Sequence, residues 1–258
     1  MFRIQMNTLS SLTLVVIWSV CLITVLSFTP PHRGTNRLFL DTAVKSEWES
    51  LLPLGIFHGI TTNPTLLERA GLECTISAVQ SLAKEALSMV GCDEFMCQAW
   101  GSTSDEIFNI GMQLSEIDRE KIVVKVPVTM EGTAAASKLI QSGVRVCLTA
   151  CYNSDQAIVA AGMGAEYIAP YLGRMTDSGK DGIEECKRMQ DIVHGMNSST
   201  RIFVASIRDT KSLGDLMSHG MESFTFSPDI ARELFSETLT ITAAAEFEAA
   251  AKRCGGYK

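Results

Sequence analysis

The chain has 258 residues, 46% of them apolar, and a formal net charge of −7. That length and apolar content suffice for one large core, and an acidic balance without a basic cluster argues against a nucleic-acid surface, whose electrostatic footprint is a basic patch. The four histidines, at positions 32, 58, 194 and 219, show no ligand spacing, so no metal site is legible.

At the start of the chain, residues 1–40 contain no aspartate or glutamate and carry Arg3, and the run from Leu12 to Phe28 is interrupted only by Thr13, Ser19, Thr24 and Ser27. An apolar stretch shorter than the roughly 20 residues of a comfortable membrane span reads as a cleaved signal peptide over about 1–27 rather than an anchor. The following FTPPHRGTNR is basic, hydroxylated and acid-free, as transit peptides are. Together the two stretches resemble the bipartite plastid presequences of algae with secondary plastids. Residues 1–36 are therefore read as a targeting presequence, with delivery to the plastid stroma expected and any membrane contact confined to this segment. The alternative destination is the secretory pathway, where the Asn197-Ser198-Ser199 sequon becomes a glycosylation acceptor. Beyond the presequence lie Cys74, Cys92, Cys97, Cys147, Cys151, Cys186 and Cys254, an odd set without a CxxC pair. They read as core thiols in a reducing compartment, not as a disulfide framework.

From residue 37 to 258 the pattern predicts a single domain. Short β-branched or aromatic runs recur at 37–42, 58–63, 94–100, 121–128, 145–152, 165–172, 201–207 and 223–228. Helix-compatible segments fill the intervals, at 46–52, 75–90, 104–114, 133–143, 153–162, 181–195 and 210–220, and a last helix is expected from Pro228 to Arg253. Several of these segments close on glycine, as helix C-termini prefer. Alternating strands and helices demand a parallel sheet, and eight strands can close it, so the fold class is α/β with a (β/α)8 TIM barrel. An open doubly wound sheet is the alternative, weakened by the lack of GxGxxG after the first strand.

In such a barrel functional residues gather at the C-terminal ends of the strands. Strand one ends in Asp41 and Thr42, strand two in Thr61, Thr62 and Asn63, and strand three carries Gln98. Strand five holds Thr149, strand six ends in Tyr171 with Arg174 beyond it, and strand seven has Ser206 followed by Arg208. Taken singly these have ordinary readings: Asp41 and Asn63 as helix caps or turn formers, the arginines as solvated charges. Their recurrence at corresponding strand ends is what marks a site.

Strand four contributes Lys125, alone inside VVKVPVT. A lysine in an apolar strand either snorkels its ammonium to solvent or is buried for a purpose. Burial disfavours the charged form, so a lowered pKa and a nucleophilic amine of the Schiff-base type are expected here.

The segments FLDTA, GITTNPTLL, IVVKVPVTMEG, LTACY, AEYIAPYLGRM and FVASIR occur in this order over residues 38–228. They resemble the small transaldolases and the related fructose-6-phosphate aldolases. The resemblance implies a class I aldolase acting on sugar phosphates, with Lys125 forming the imine and Asp41 assisting proton transfer. It places Thr62 and Asn63 on substrate hydroxyls, Thr149 and Tyr171 around the catalytic water, and Arg174, Ser206 and Arg208 at the phosphate. A planar guanidinium fork suits that end. Neither metal nor organic cofactor is implied, and the partner expected is a second copy of the chain, in a pentamer or decamer.

Within the family, transaldolases have glutamate where this chain has Gln98, and the small ones have phenylalanine where it has Tyr171. The glutamine and tyrosine pair is that of the aldolases, so cleavage of fructose 6-phosphate to dihydroxyacetone and glyceraldehyde 3-phosphate is expected. The alternatives are a transaldolase of the pentose phosphate pathway and a noncatalytic sugar-phosphate-binding barrel. The bulky ring of Trp100, close to Gln98, is expected to reshape the sugar pocket.

Overall fold

The computed structural model describes residues 36–256. The presequence read at 1–36 lies outside them, apart from Asn36. Strands β1 (Arg37–Asp41), β2 (Gly59–Thr61), β3 (Glu94–Gln98), β4 (Ile122–Pro127), β5 (Val146–Cys151), β6 (Tyr167–Pro170), β7 (Arg201–Val204) and β8 (Ser223–Phe226) pair in parallel, in chain order, and β8 closes on β1. This is the (β/α)8 barrel, and each of the eight expected runs contains one strand.

Helices α1 (Lys45–Leu51), α2 (Pro64–Arg69), α3 (Ile76–Ser88), α4 (Ser104–Ser115), α5 (Met130–Gln141), α6 (Gln156–Met163), α7 (Leu172–Asp177), α8 (Gly182–Gly195), α9 (Thr210–Ser218), α10 (Pro228–Glu233) and α11 (Thr238–Arg253) complete the chain. Side chains of Thr75, Thr103, Thr129, Asp181 and Asp209 accept N–H groups of the turns they precede, which is why α3, α4, α5, α8 and α9 start where they do. Two helices went unread in the sequence. Short α2 and α7 are extra turns after β2 and β6, too brief for an apolar period to reveal.

The single helix expected from Pro228 to Arg253 is two. Ser236 Oγ donates to the Glu233 carbonyl at 2.9 Å, and the Glu237 side chain accepts Leu239 N–H at 3.0 Å, so one helix stops and another starts within four residues. A second correction concerns the cysteines: five of the seven are buried, but Cys74 and Cys254 are exposed.

Alternation along the strands sorts side chains between two cores. Leu40, Ile60, Phe95, Val124, Leu148, Ile168, Val204 and Phe224 face the helices and join the larger core. Phe39, Met96, Val123, Cys147, Tyr167, Ala169 and Phe203 fill the barrel interior. Gly59 occupies an inner position where a Cβ would lie 2.0 Å from the Glu94 carbonyl oxygen and 2.9 Å from Phe39 Cε1, so the Phe39 ring takes the room a side chain would need.

Below that apolar layer, at the N-terminal mouth, Arg145 forks onto Glu166, with Nε at 2.6 Å, and also bonds Glu94, whose side chain is 3% exposed. Arg37 approaches Glu94 at 3.5 Å and donates to the Tyr167 hydroxyl. Burial pushes the Glu94 carboxyl up, but contacts from His58 and Arg145 outweigh it and leave its pKa below the ordinary glutamate value. A depressed folded pKa stabilises the fold above the unfolded value of about 4.3, and that stabilisation is lost as pH falls through the folded pKa. Urea melts of Glu94→Gln are therefore expected to show weaker pH dependence on the acid side of neutrality than the wild type.

Candidate active site

The strand C-termini open onto a cavity of about 380 Å³. Of the ten residues singled out in the sequence, Asp41, Asn63, Lys125, Tyr171, Arg174, Ser206 and Arg208 line it. Thr62, Gln98 and Thr149 do not.

Lys125 follows Val123 on the inner face of β4, so its side chain rises from the apolar plug toward the mouth, and the residue is 3% exposed. Its Nζ donates to the Thr62 carbonyl at 3.4 Å. Thr62 thus meets the amine through its backbone, while its own hydroxyl is buried with no hydrogen-bond partner among the described residues. Asp41, on the inner face of β1, accepts from Thr61 Oγ1 at 2.7 Å. That uses the only Thr61 hydroxyl proton, so Thr225 donates to Thr61 in the 2.6 Å contact between them. The carboxylate is held at the end of a two-hydroxyl relay across β2 and β8.

Asn63 is the N-cap of α2, its Oδ1 accepting Leu66 N–H at 3.1 Å. The cap engages the oxygen and leaves the amide N–H groups to donate into the cavity. On β5, a register shift between Leu148 and Cys151 accompanies a left-handed Ala150, φ 56°, next to Thr149. Such a bulge re-aims side chains at a barrel rim. Thr149 Oγ1 lies 3.0 Å from the Tyr171 hydroxyl, forming a proton-exchanging pair at the wall.

The adjoining wall is cationic. Leu172 N–H donates to the Ala205 carbonyl and Gly173 N–H to that of Ser206, both at 2.9 Å, which stitches the loops after β6 and β7 together. Ser206 is left-handed, φ 59°, and a Cβ on Gly173 would sit 2.4 Å from its carbonyl oxygen. Arg174 lies over the Tyr171 ring at 5.0 Å and donates to the Tyr152 hydroxyl at 3.1 Å. Arg208 pairs with Asp177 at 3.0 Å.

Gln98 is in register with Lys125 across β3 and β4 and half-buried. The Trp100 ring, expected in the sugar pocket, packs instead against the larger core and does not line the cavity. Strand β3 ends at Gln98, so alternation no longer governs a residue two positions further. Thr225 was missed, although extending the inner-face pattern to β8 would have found it. Arg69, Thr65 and Leu66 also line the cavity from α2, and no strand pattern signals them.

The titration of Lys125 departs from the sequence expectation. Burial pulls its pKa down, but Tyr171, Asp41, Cys147 and Cys97 together raise it above the ordinary lysine value. The two thiols are themselves pushed up to about 12 by burial, so near neutral pH they bear no charge. Asp41 is the one carboxylate among the groups that raise the Lys125 pKa. Among the described residues no group of three His, Cys, Asp or Glu side chains could hold a metal.

A closed (β/α)8 barrel whose strand ends gather a buried amine, a carboxylate and guanidiniums around one cavity has the architecture of a barrel enzyme. Comparison with known proteins agrees. The sequence model of the transaldolase/fructose-6-phosphate aldolase family matches residues 38–255. A probable transaldolase of Leptospira biflexa is 31% identical over 213 residues, covering 82% of this chain and 95% of its own. One from Cytophaga hutchinsonii is 31% identical over 222 residues, 85% of this chain and 100% of its own. A third, from Phenylobacterium zucineum, is 30% identical, with 79% and 91% covered. The chain belongs to the transaldolase/fructose-6-phosphate aldolase family and is an enzyme of the aldolase/transaldolase class.

Removing the facing carboxylate tests the electrostatics. In Asp41→Asn the Lys125 amine is expected to titrate lower, so acetic anhydride labels it faster at fixed pH relative to exposed lysines of the same chain, read by peptide mass spectrometry. An unchanged relative rate would show that Asp41 does not hold the charge.

Proposed function

We propose that this enzyme is a Schiff-base aldolase that cleaves or forms fructose 6-phosphate, with dihydroxyacetone and glyceraldehyde 3-phosphate as the other side of the reaction. The observation that carries this reading is the buried Lys125, which lines the cavity together with Asp41 and Tyr171. The amine gives up its proton before attack, and the Asp41 carboxylate is the group placed to take it. Lys125 Nζ then bonds to C2 of the ketose, and the proton that Asp41 took is returned, with the Tyr171–Thr149 pair as relay, to the carbinolamine hydroxyl, which leaves as water and frees Asp41 as a carboxylate again. The iminium receives the electron pair of the C3–C4 bond while Asp41 takes the C4 hydroxyl proton, and glyceraldehyde 3-phosphate departs. Protonation of the enamine at C3 and addition of water release dihydroxyacetone and restore the amine. Arg174, Ser206 and Arg208 hold the phosphate, and Asn63 donates to a sugar hydroxyl.

A second reading, transfer of the dihydroxyacetone unit to an aldose phosphate, is favoured by the names of the three relatives above, each a probable transaldolase. Gln98 and Tyr171 favour release. Their family counterparts distinguish the two activities, and a tyrosine hydroxyl bonded to Thr149 can relay a proton to the enamine and admit hydrolysis.

We further propose that the chain works as a homo-oligomer. Helix α11 buries no side chain on its own barrel and leaves Leu239 79% and Phe247 73% exposed, an apolar face suited to a second copy. Delivery of the enzyme to the plastid stroma is proposed from the presequence alone.

The deciding assay is release of glyceraldehyde 3-phosphate from fructose 6-phosphate with and without erythrose 4-phosphate. Steady release without acceptor is expected, and strict acceptor dependence would make the enzyme a transaldolase. Lys125→Met is expected to lower turnover by at least about a thousandfold and to abolish the covalent adduct formed with substrate and borohydride. Gln98→Glu is expected to shift the ratio of release to transfer toward transfer, measured in the same paired assay.

A further inference from the structure

The two arginines of the anion wall are held in different ways. Arg208 is held by a carboxylate, Asp177, at 3.0 Å, and both side chains are largely exposed, 60% and 64%. An incoming phosphate competes with that carboxylate for the guanidinium. Arg174 makes no ion pair among the described residues. It is held by the Tyr152 hydroxyl at 3.1 Å and by the Tyr171 ring face at 5.0 Å, neither of which carries a compensating full charge in its neutral form.

Tyr152 is itself fixed on every side. Its N–H donates to Gln156 Oε1 at 2.9 Å, its carbonyl accepts from Lys180 Nζ at 2.7 Å, and its ring meets Tyr171 edge to face at 5.5 Å. The ring packs on the core beside the barrel. A hydroxyl on so constrained a ring can restrain a long, exposed arginine whose rotamer freedom would otherwise be lost on binding.

We propose that Tyr152 is a positioning residue, a neutral tether that holds the Arg174 guanidinium ready for the substrate's phosphate without neutralising it. The proposal deepens the reading of this wall as the phosphate end and rests on it. Tyr152 touches neither the reacting carbons nor Lys125 in the scheme above. Its effect passes through Arg174, so it belongs to binding of the phosphorylated end and not to the bond-breaking steps.

The test is Tyr152→Phe, which keeps the ring contacts and drops only the hydroxyl. Titration of inorganic phosphate into the full enzyme is expected to show affinity weakened about three- to tenfold, as loss of one hydrogen bond of this kind allows. KM for fructose 6-phosphate is expected to rise by a similar factor with kcat carrying little of the change, and the loss is expected to exceed that on unphosphorylated fructose by the same ratio. In an Arg174→Gln background the same substitution is expected to add nothing, a double-mutant cycle that separates the tether from any general loss of packing. Unchanged phosphate affinity, equal losses on both substrates, or full additivity in the cycle would overturn the proposal. Weakened phosphate binding in an enzyme that forms no borohydride adduct at Lys125 would instead sink the Schiff-base reading and leave the tether standing.

Discussion

Closure of the eight strands is the constraint on which everything else depends. A ring of parallel strands has no free edge, so each strand has only an inner and an outer face, and alternation assigns every residue to one of them. Three levels result inside the ring. Arg37, Glu94 and Arg145 form an ion network at the N-terminal mouth, and Phe39, Met96, Val123, Cys147, Tyr167 and Phe203 make a dry plug above it. Asp41, Thr61, Lys125, Thr149 and Thr225 then stand two residues beyond the plug on their own strands or at its level, facing the open end.

The plug gives the amine its character. Aromatic and sulfur-bearing side chains beneath Lys125 offer its amine no solvation, and among the described residues its hydrogen bond is to the Thr62 carbonyl. Burial of this kind lowers a lysine pKa, and Asp41, itself held by Thr61, is among the groups that raise it again.

The rim is organised differently from the floor. Its residues lie on loops and short helices, which are tied together by backbone bonds between Leu172, Gly173, Ala205 and Ser206 and by the left-handed turn at Ser206. This lets strands β6 and β7 present two guanidiniums on one wall while α2 places Arg69 and the amide of Asn63 on another. Loops are where a barrel adapts to its substrate, and here the adaptation is toward an anion at one end of a polyhydroxylated chain.

All eight strands were legible because period-two apolar runs bounded by turn residues are a local signal, and strand order followed from the demand of parallel pairing for crossover helices. Most of the candidate site was legible by the same rule, since a residue two positions past an inner-face residue shares its face and points into the mouth. The rule failed where the strand ended or the contact was made by backbone. Trp100, two residues beyond β3, turns into the outer core, and Thr62 meets the amine through its carbonyl. It also could not see that Ser236 and Glu237 divide the last helix, a choice made by side-chain bonds to backbone rather than by helix propensity. The barrel and its family follow from local patterns, and the lone lysine inside VVKVPVT is visible there too. What surrounds that lysine and what holds the two arginines was settled in three dimensions, because both depend on groups from distant segments meeting at one point, and no local pattern encodes those distances.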